Sequence, residues 1–127
     1  MKDGSIRTNP GINNPDVLAP IGEVDDRVNV LRFDREGAET LVLVNFGNHP
    51  DVIGGEKISA DWPGFTRRAL EKARPDTNCI FFNGAQGDTI HINRMSPEKR
   101  SGVIHSRHMG RALAGAVMSI YTYTDPV

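Results

Sequence analysis

Apolar and polar positions along the chain fall into two rhythms after a turn-rich lead. Residues 1–25 carry Pro10, Pro15 and Pro20 with Gly4, Gly11 and Gly22, a density that excludes regular helix and predicts an extended arm. So long a lead is unusual for a compact domain, and it either wraps a surface or belongs with structure outside residues 1–127. Val28-Asn29-Val30-Leu31-Arg32-Phe33 then alternates with period two, turns through Arg35-Glu36-Gly37-Ala38-Glu39 and continues into residues 41–46, which predicts a hairpin. From Ser59 the period lengthens. Ser59 or Asp61 reads as an N-cap, Pro63 fits the first turn, Phe65, Ala69, Leu70 and Ala73 share a face, and Pro75 closes the helix. A third strand over 78–82 completes a β-α-β unit, expected to cross over right-handed.

A last helix runs from about Ser101 to Tyr121. Met109, Ala112, Leu113, Ala116, Val117 and Ile120 keep its period, while Gly110, Ala114 and Gly115 permit close approach of a neighbour. The expected fold is α/β: a mixed β-sheet with a hairpin, a β-α-β unit and a long C-terminal helix, in a single domain. With 127 residues and 38 % hydrophobic content, that domain has a thin core.

Charge changes the picture by exclusion. Fifteen basic residues against sixteen acidic ones leave no electrostatic footprint for nucleic acid or an anionic membrane surface. Cys79 is the lone cysteine, so no internal disulfide or thiolate-rich zinc site forms within the chain, and a small buried hydrophobe is the simpler role for it. No apolar stretch reaches the roughly 20 residues that span a bilayer. Met1-Lys2-Asp3-Gly4-Ser5 lacks the apolar segment of a signal peptide, so no compartment is assigned.

Candidate chemistry gathers at two strand ends. His49, in Asn48-His49-Pro50, follows the second strand and is either hydrogen-bonded scaffolding or a metal ligand or proton carrier, since open α/β sheets keep their sites there. The third strand runs into Asn83-Gly84-Ala85-Gln86-Gly87-Asp88, and the two turns face one crevice if the strands are parallel neighbours. That loop lacks the Gly-Lys-Ser/Thr ending of a nucleotide loop. Its glycines let backbone turn tightly near a ligand, and Asp88 is placed to orient a metal-bound His or a water, unless the loop is an ordinary β-to-α turn. Asp61 is a helix cap or a group that supports the metal ligand from behind, and Trp62 is core. His105 and His108, three apart on the last helix, read as a solvated or interface surface. His91 reads as a surface histidine.

Asn48-His49-Pro50, then Ile58-Ser59-Ala60-Asp61-Trp62-Pro63-Gly64, then Asn83-Gly84-Ala85-Gln86-Gly87-Asp88, in that order and spacing, resembles the neutral/alkaline non-lysosomal ceramidase family, in its N-terminal catalytic domain. The similarity runs from about Arg7 to Tyr121. It implies a single zinc ion that hydrolyses the N-acyl amide of ceramide-like substrates, with His49 as one metal ligand. It also implies that Arg7, matching the family's substrate-side arginine, donates to the developing oxyanion. Arg7 and Asp88 are the expected catalytic residues, Arg7 and Gly87 the expected substrate contacts, and Asp61 and Asp88 the groups behind the metal ligand.

Two departures qualify what carries over. Ile90 stands where the ceramidases proper have a serine beside the zinc. The family's other zinc ligands, an upstream histidine and a downstream glutamate and tyrosine, have no counterpart here. The chain is thus expected to be a fragment or truncated member of a zinc-dependent amidohydrolase family, associating with itself or with the remainder of an enzyme. Two alternatives stand beside it: a non-catalytic binding or assembly module that keeps the fold, and an α/β domain that binds a phosphorylated small molecule through residues 84–87.

Overall fold

The computed structural model describes residues 1–98, 100–123 and 125. Five elements follow in order: β1 (Asn29–Phe33), β2 (Thr40–Phe46), α1 (Asp61–Ala73), β3 (Thr77–Asn83) and α2 (Gly102–Tyr121). Residues 1–28 precede the first strand and form turns and extended backbone. The sheet order is β1-β2-β3, with β1 antiparallel to β2 and β2 parallel to β3. The small α/β fold with its hairpin, β-α-β unit and C-terminal helix is therefore as the periodicity predicts.

β2 takes the centre because it is apolar on both sides. Register sets Val30 and Phe81 beside Val44, and Arg32 and Cys79 beside Val42. This face is covered: Val42, Val44 and Cys79 are buried with Trp62 and Leu70 of α1 and with Leu113, Ala114, Val117 and Tyr121 of α2. Each such large side chain removed from water contributes about 1.5–3 kcal/mol. On the opposite face the row Leu31-Leu43-Ile80 and its neighbour Phe82 receive no helix, and Leu31, Ile80 and Phe82 stay exposed. Parallel pairs are usually covered on both sides, so this bare face is the unusual feature of the fold.

The helices cross at Gly110. A Cβ there would sit 2.5 Å from both the Phe65 Cβ and the Trp62 carbonyl oxygen, so only hydrogen fits between the two backbones. The buried stripe of α2 is Ser106, Gly110, Leu113, Ala114, Val117 and Tyr121. It is rotated from the expected one: Ala112, Ala116 and Ile120 face solvent, and Gly115 faces open space. Polar bonds cause the rotation. Ser106 is pulled inward by the Asp61 carboxylate at 2.6 Å, and the Tyr121 hydroxyl lies 3.1 Å from Thr77 Oγ1.

Candidate functional site

Because β2 and β3 run parallel in register, Phe46 beside Asn83, their C-terminal turns leave the sheet side by side. The turns do not flank an open crevice; they are stitched together. Gly84 N–H donates to the Phe46 carbonyl at 3.0 Å, Asn48 N–H to Asn83 Oδ1 at 3.4 Å and His49 N–H to the Thr89 carbonyl at 3.2 Å. Asn83 in turn donates to Gln86 Oε1. A Cβ on Gly47 would meet the Ala85 carbonyl oxygen at 2.7 Å, so the missing side chain is what lets the two backbones touch.

His49 is gripped from a second direction. Its carbonyl accepts the Trp62 indole N–H at 3.1 Å, and Trp62, 1 % exposed, packs edge-on against Phe46 and Phe81, beside the two strand ends. The backbone of the turn is thus fixed by α1 and by the loop after β3 at once. Its side chains contrast with this. Asn48 Oδ1 and His49 Nδ1 are buried and have no hydrogen-bond partner among the described residues. Such orphaned atoms are rare in folded proteins, because each forfeits about 1–3 kcal/mol of solvation without return.

His91 lies against the same turn. Its side chain is only 3 % exposed, which corrects its reading as a surface residue. One ring nitrogen, Nε2, is 2.9 Å from the Arg100 carbonyl oxygen. The other, Nδ1, is 3.2 Å from Asp51 Oδ1 but outside hydrogen-bond geometry, a third buried nitrogen or oxygen left unsatisfied at this end of the sheet. No sequence signal marks this placement, which depends on the path of the loop after Thr89. The row continues along α2: the His91 and His105 rings are 5.8 Å apart and the His105 and His108 rings stack at 6.2 Å. Burial, then the neighbouring His91 and His108, push the His105 pKa below its ordinary value.

Asp61 is the hub behind the turn. It is the first residue of α1, with Ala60 as the boundary residue, and Ser59 Oγ accepts its N–H at 3.0 Å. Its carboxylate accepts from Ile53 N–H at 2.8 Å, Trp62 N–H at 2.6 Å and Ser106 Oγ at 2.6 Å, joining the 50s loop, α1 and α2. A backbone φ of +47° shows strain retained to make those bonds.

The remaining expected residues lie apart. Arg7 sits in the arm, 62 % exposed, 3.8 Å from Asp3. Among the described residues no hydrogen bond or ion pair joins it to His49 or Asp88. Asp88 and Gly87 are exposed at the tip of the loop after β3, where the Asp88 carboxylate accepts from Thr89 Oγ1 at 3.4 Å. Cys79 is buried in the core, and desolvation, aided by Glu71 and opposed by Arg67, pushes its thiol up to about 11.

A zinc ion fits this arrangement at one point and not as a closed centre. His49 Nδ1 is an unclaimed donor of the right chemistry, but among the described residues no three His, Cys, Asp or Glu side chains are grouped to hold a metal. Catalytic zinc takes about three protein ligands. No family model, curated protein or solved structure matches the chain, so function is read from this geometry and from the order of its motifs.

Proposed function

We propose that the chain forms one wall of the active site of a zinc-dependent amide hydrolase of the ceramidase type, with His49 as the metal ligand that it contributes. The observation that carries this reading is the unpartnered, buried Nδ1 of His49, on a backbone held from both sides at the C-terminal edge of a parallel strand pair. An imidazole in that state has given up water without a protein partner in exchange, as a residue positioned for a ligand does.

In this reading His49 orients one donor, and Trp62 and Thr89 keep its backbone from moving when a ligand arrives. Asp61 holds the start of α1 against the turn. Arg7, loosely paired and on an extended arm, turns its guanidinium to the carbonyl oxygen of an N-acylated small molecule or lipid. Asp88 and Gly87 border the substrate from the neighbouring loop. Held by His49 and further donors, zinc would supply Lewis-acid activation of a water and of the scissile carbonyl. Two further protein donors complete the ligand set from beyond the described cluster.

Titration of the protein with zinc, followed by the imidazole resonances, tests this. Zinc is expected to shift the His49 resonances at lower concentration than those of the other histidines, and His49→Ala to weaken zinc binding; an unchanged zinc affinity in the variant sinks the assignment. A second reading, a binding or assembly module without chemistry, is supported by the bare sheet face at Leu31, Ile80 and Phe82. It predicts zinc indifference in the same titration.

A further inference from the structure

The solvent side of the helix pair carries a groove of about 560 Å³ between α1 and α2. Its floor is apolar, from Phe65 and Ala69, and its walls carry Arg68 and Lys72 on α1 and Arg107 and Arg111 on α2. Each pair is spaced one turn apart, so the cations form two parallel rows. No carboxylate lines the groove, and none of the four makes an ion pair among the described residues. The Arg68 and Arg107 guanidinium carbons lie 4.6 and 5.6 Å from the Phe65 ring centroid, so both cations rest on one π-face. In a chain of net charge −1, four crowded and unneutralised cations around an apolar strip call for an occupant that is acidic and apolar together. A flat bilayer does not reach a floor lying between cations, and a nucleic acid backbone offers that floor nothing.

The chain itself contains such a segment. Leu18, Ile21 and Val24 recur every third residue around Pro20, the period of an extended polyproline-type strand. They are 62, 74 and 59 % exposed; Glu23 lies between Ile21 and Val24, Asp25 and Asp26 follow, and since Arg27 holds Asp25 at 2.8 Å, Glu23 and Asp26 are the carboxylates without an ion pair among the described residues. Within one molecule this segment is on too short a tether. Asp26 precedes β1 by three residues, at most about 10 Å of chain. β1 is the far edge strand, about 10 Å across the sheet from β3, against which α1 packs, and the groove opens beyond the helices. A helix with its side chains is itself about 10 Å thick, so the path needed by Asp25 and Asp26 approaches twice the tether. The arm of another molecule has no such limit.

We propose that residues 18–26 of one copy dock in the α1–α2 groove of a second copy, and that reciprocal exchange of the arms closes a two-fold dimer. Glu23 and Asp26 meet the groove cations, and the three apolar side chains cover the floor. Such an exchange is isologous, so every arm and every groove is filled.

Sedimentation velocity on the full chain tests it with two charge reversals, Arg68→Glu with Arg111→Glu in the groove and Glu23→Lys with Asp26→Lys in the arm. The wild type is expected to be a dimer that dissociates in 1 M salt, where the screening length falls to about 3 Å. Each reversed variant is expected to be monomeric, and their equimolar mixture to recover a heterodimer, because a reversed arm then meets a reversed groove. Recovery requires both variants to be folded. A wild type that is monomeric throughout, a dimer that survives both reversals, or a mixture of folded variants that stays monomeric overturns the proposal. Should a variant fail to fold, binding of a labelled peptide of residues 17–27 to wild-type protein decides: competition with the dimer supports the docking, and no binding overturns it.

Discussion

Replacing Asp61 by alanine removes one carboxylate and strands three donors. Ile53 N–H, Trp62 N–H and Ser106 Oγ all lose their acceptor, in a site where the aspartate is 4 % exposed and water has no ready access. Hydrogen bonds to a charged group contribute about 1.5–3 kcal/mol each, and an unsatisfied buried donor costs about 1–3 kcal/mol. Water entering the space of the lost side chain returns part of this, and removing a buried carboxylate returns more, which leaves a net loss of about 3–5 kcal/mol. Against the 5–15 kcal/mol that stabilises a typical domain, this is a large fraction. Alanine also inherits the left-handed backbone at φ +47°, whereas glycine relieves it. Asp61→Gly is accordingly expected to be no less stable than Asp61→Ala, despite its lower helix propensity. Urea unfolding read by Trp62 fluorescence measures both, since this is the sole tryptophan and it adjoins the mutated site. Ser106→Ala, which removes one donor and leaves the others satisfied, is expected to lose about 1–2 kcal/mol. A loss below about 1 kcal/mol for Asp61→Ala refutes the hub role.

Two further outcomes follow from packing and titration. Gly110→Ala forces a methyl into backbone at 2.5 Å and is expected to lower stability by about 1–3 kcal/mol, whereas Gly115→Ala, facing open space on the same helix, raises it by up to about 1 kcal/mol; thermal melts that rank them the other way exclude the tight crossing. The folded protein holds the Cys79 proton more tightly than the unfolded chain, so stability is complete below about pH 9 and falls as pH rises towards about 11. Cys79→Ala is expected to flatten that decline in urea midpoints taken across the alkaline range, and an unchanged slope removes Cys79 as its source.

The strands and helix limits were legible because local chemistry sets them. Leu41 to Val44 is apolar on both faces, as suits a strand paired on either side, and Pro63 and Pro75 bracket α1 from positions where proline is tolerated or terminating. The contact between the strand-end turns was legible as a possibility, conditional on parallel pairing. What escaped were the choices between equals. Ala112, Ala116 and Ile120 are as apolar as the residues that α2 buries, and the helix rotates to bring Ser106 to Asp61, 45 positions away in sequence. His91 is buried by a loop whose return path has no periodicity, and of the α1 face that Phe65, Ala69, Leu70 and Ala73 share, Leu70 is buried and Ala69 packs against the core while Phe65 and Ala69 also border the outer groove.

Trp62 gives the His49 turn a property that loops seldom have. Its indole touches both strand tips and bonds the turn through Nε1, while its backbone carbonyl accepts from Thr66 Oγ1 and its backbone N–H donates to Asp61. Local opening of the turn would have to disengage all of these together, so its amide protons should exchange with deuterium only through cooperative unfolding of the whole domain. A histidine mounted in this way is no lid or latch. Whatever adapts when another molecule arrives has to be sought in the more loosely bonded stretches on either side of it.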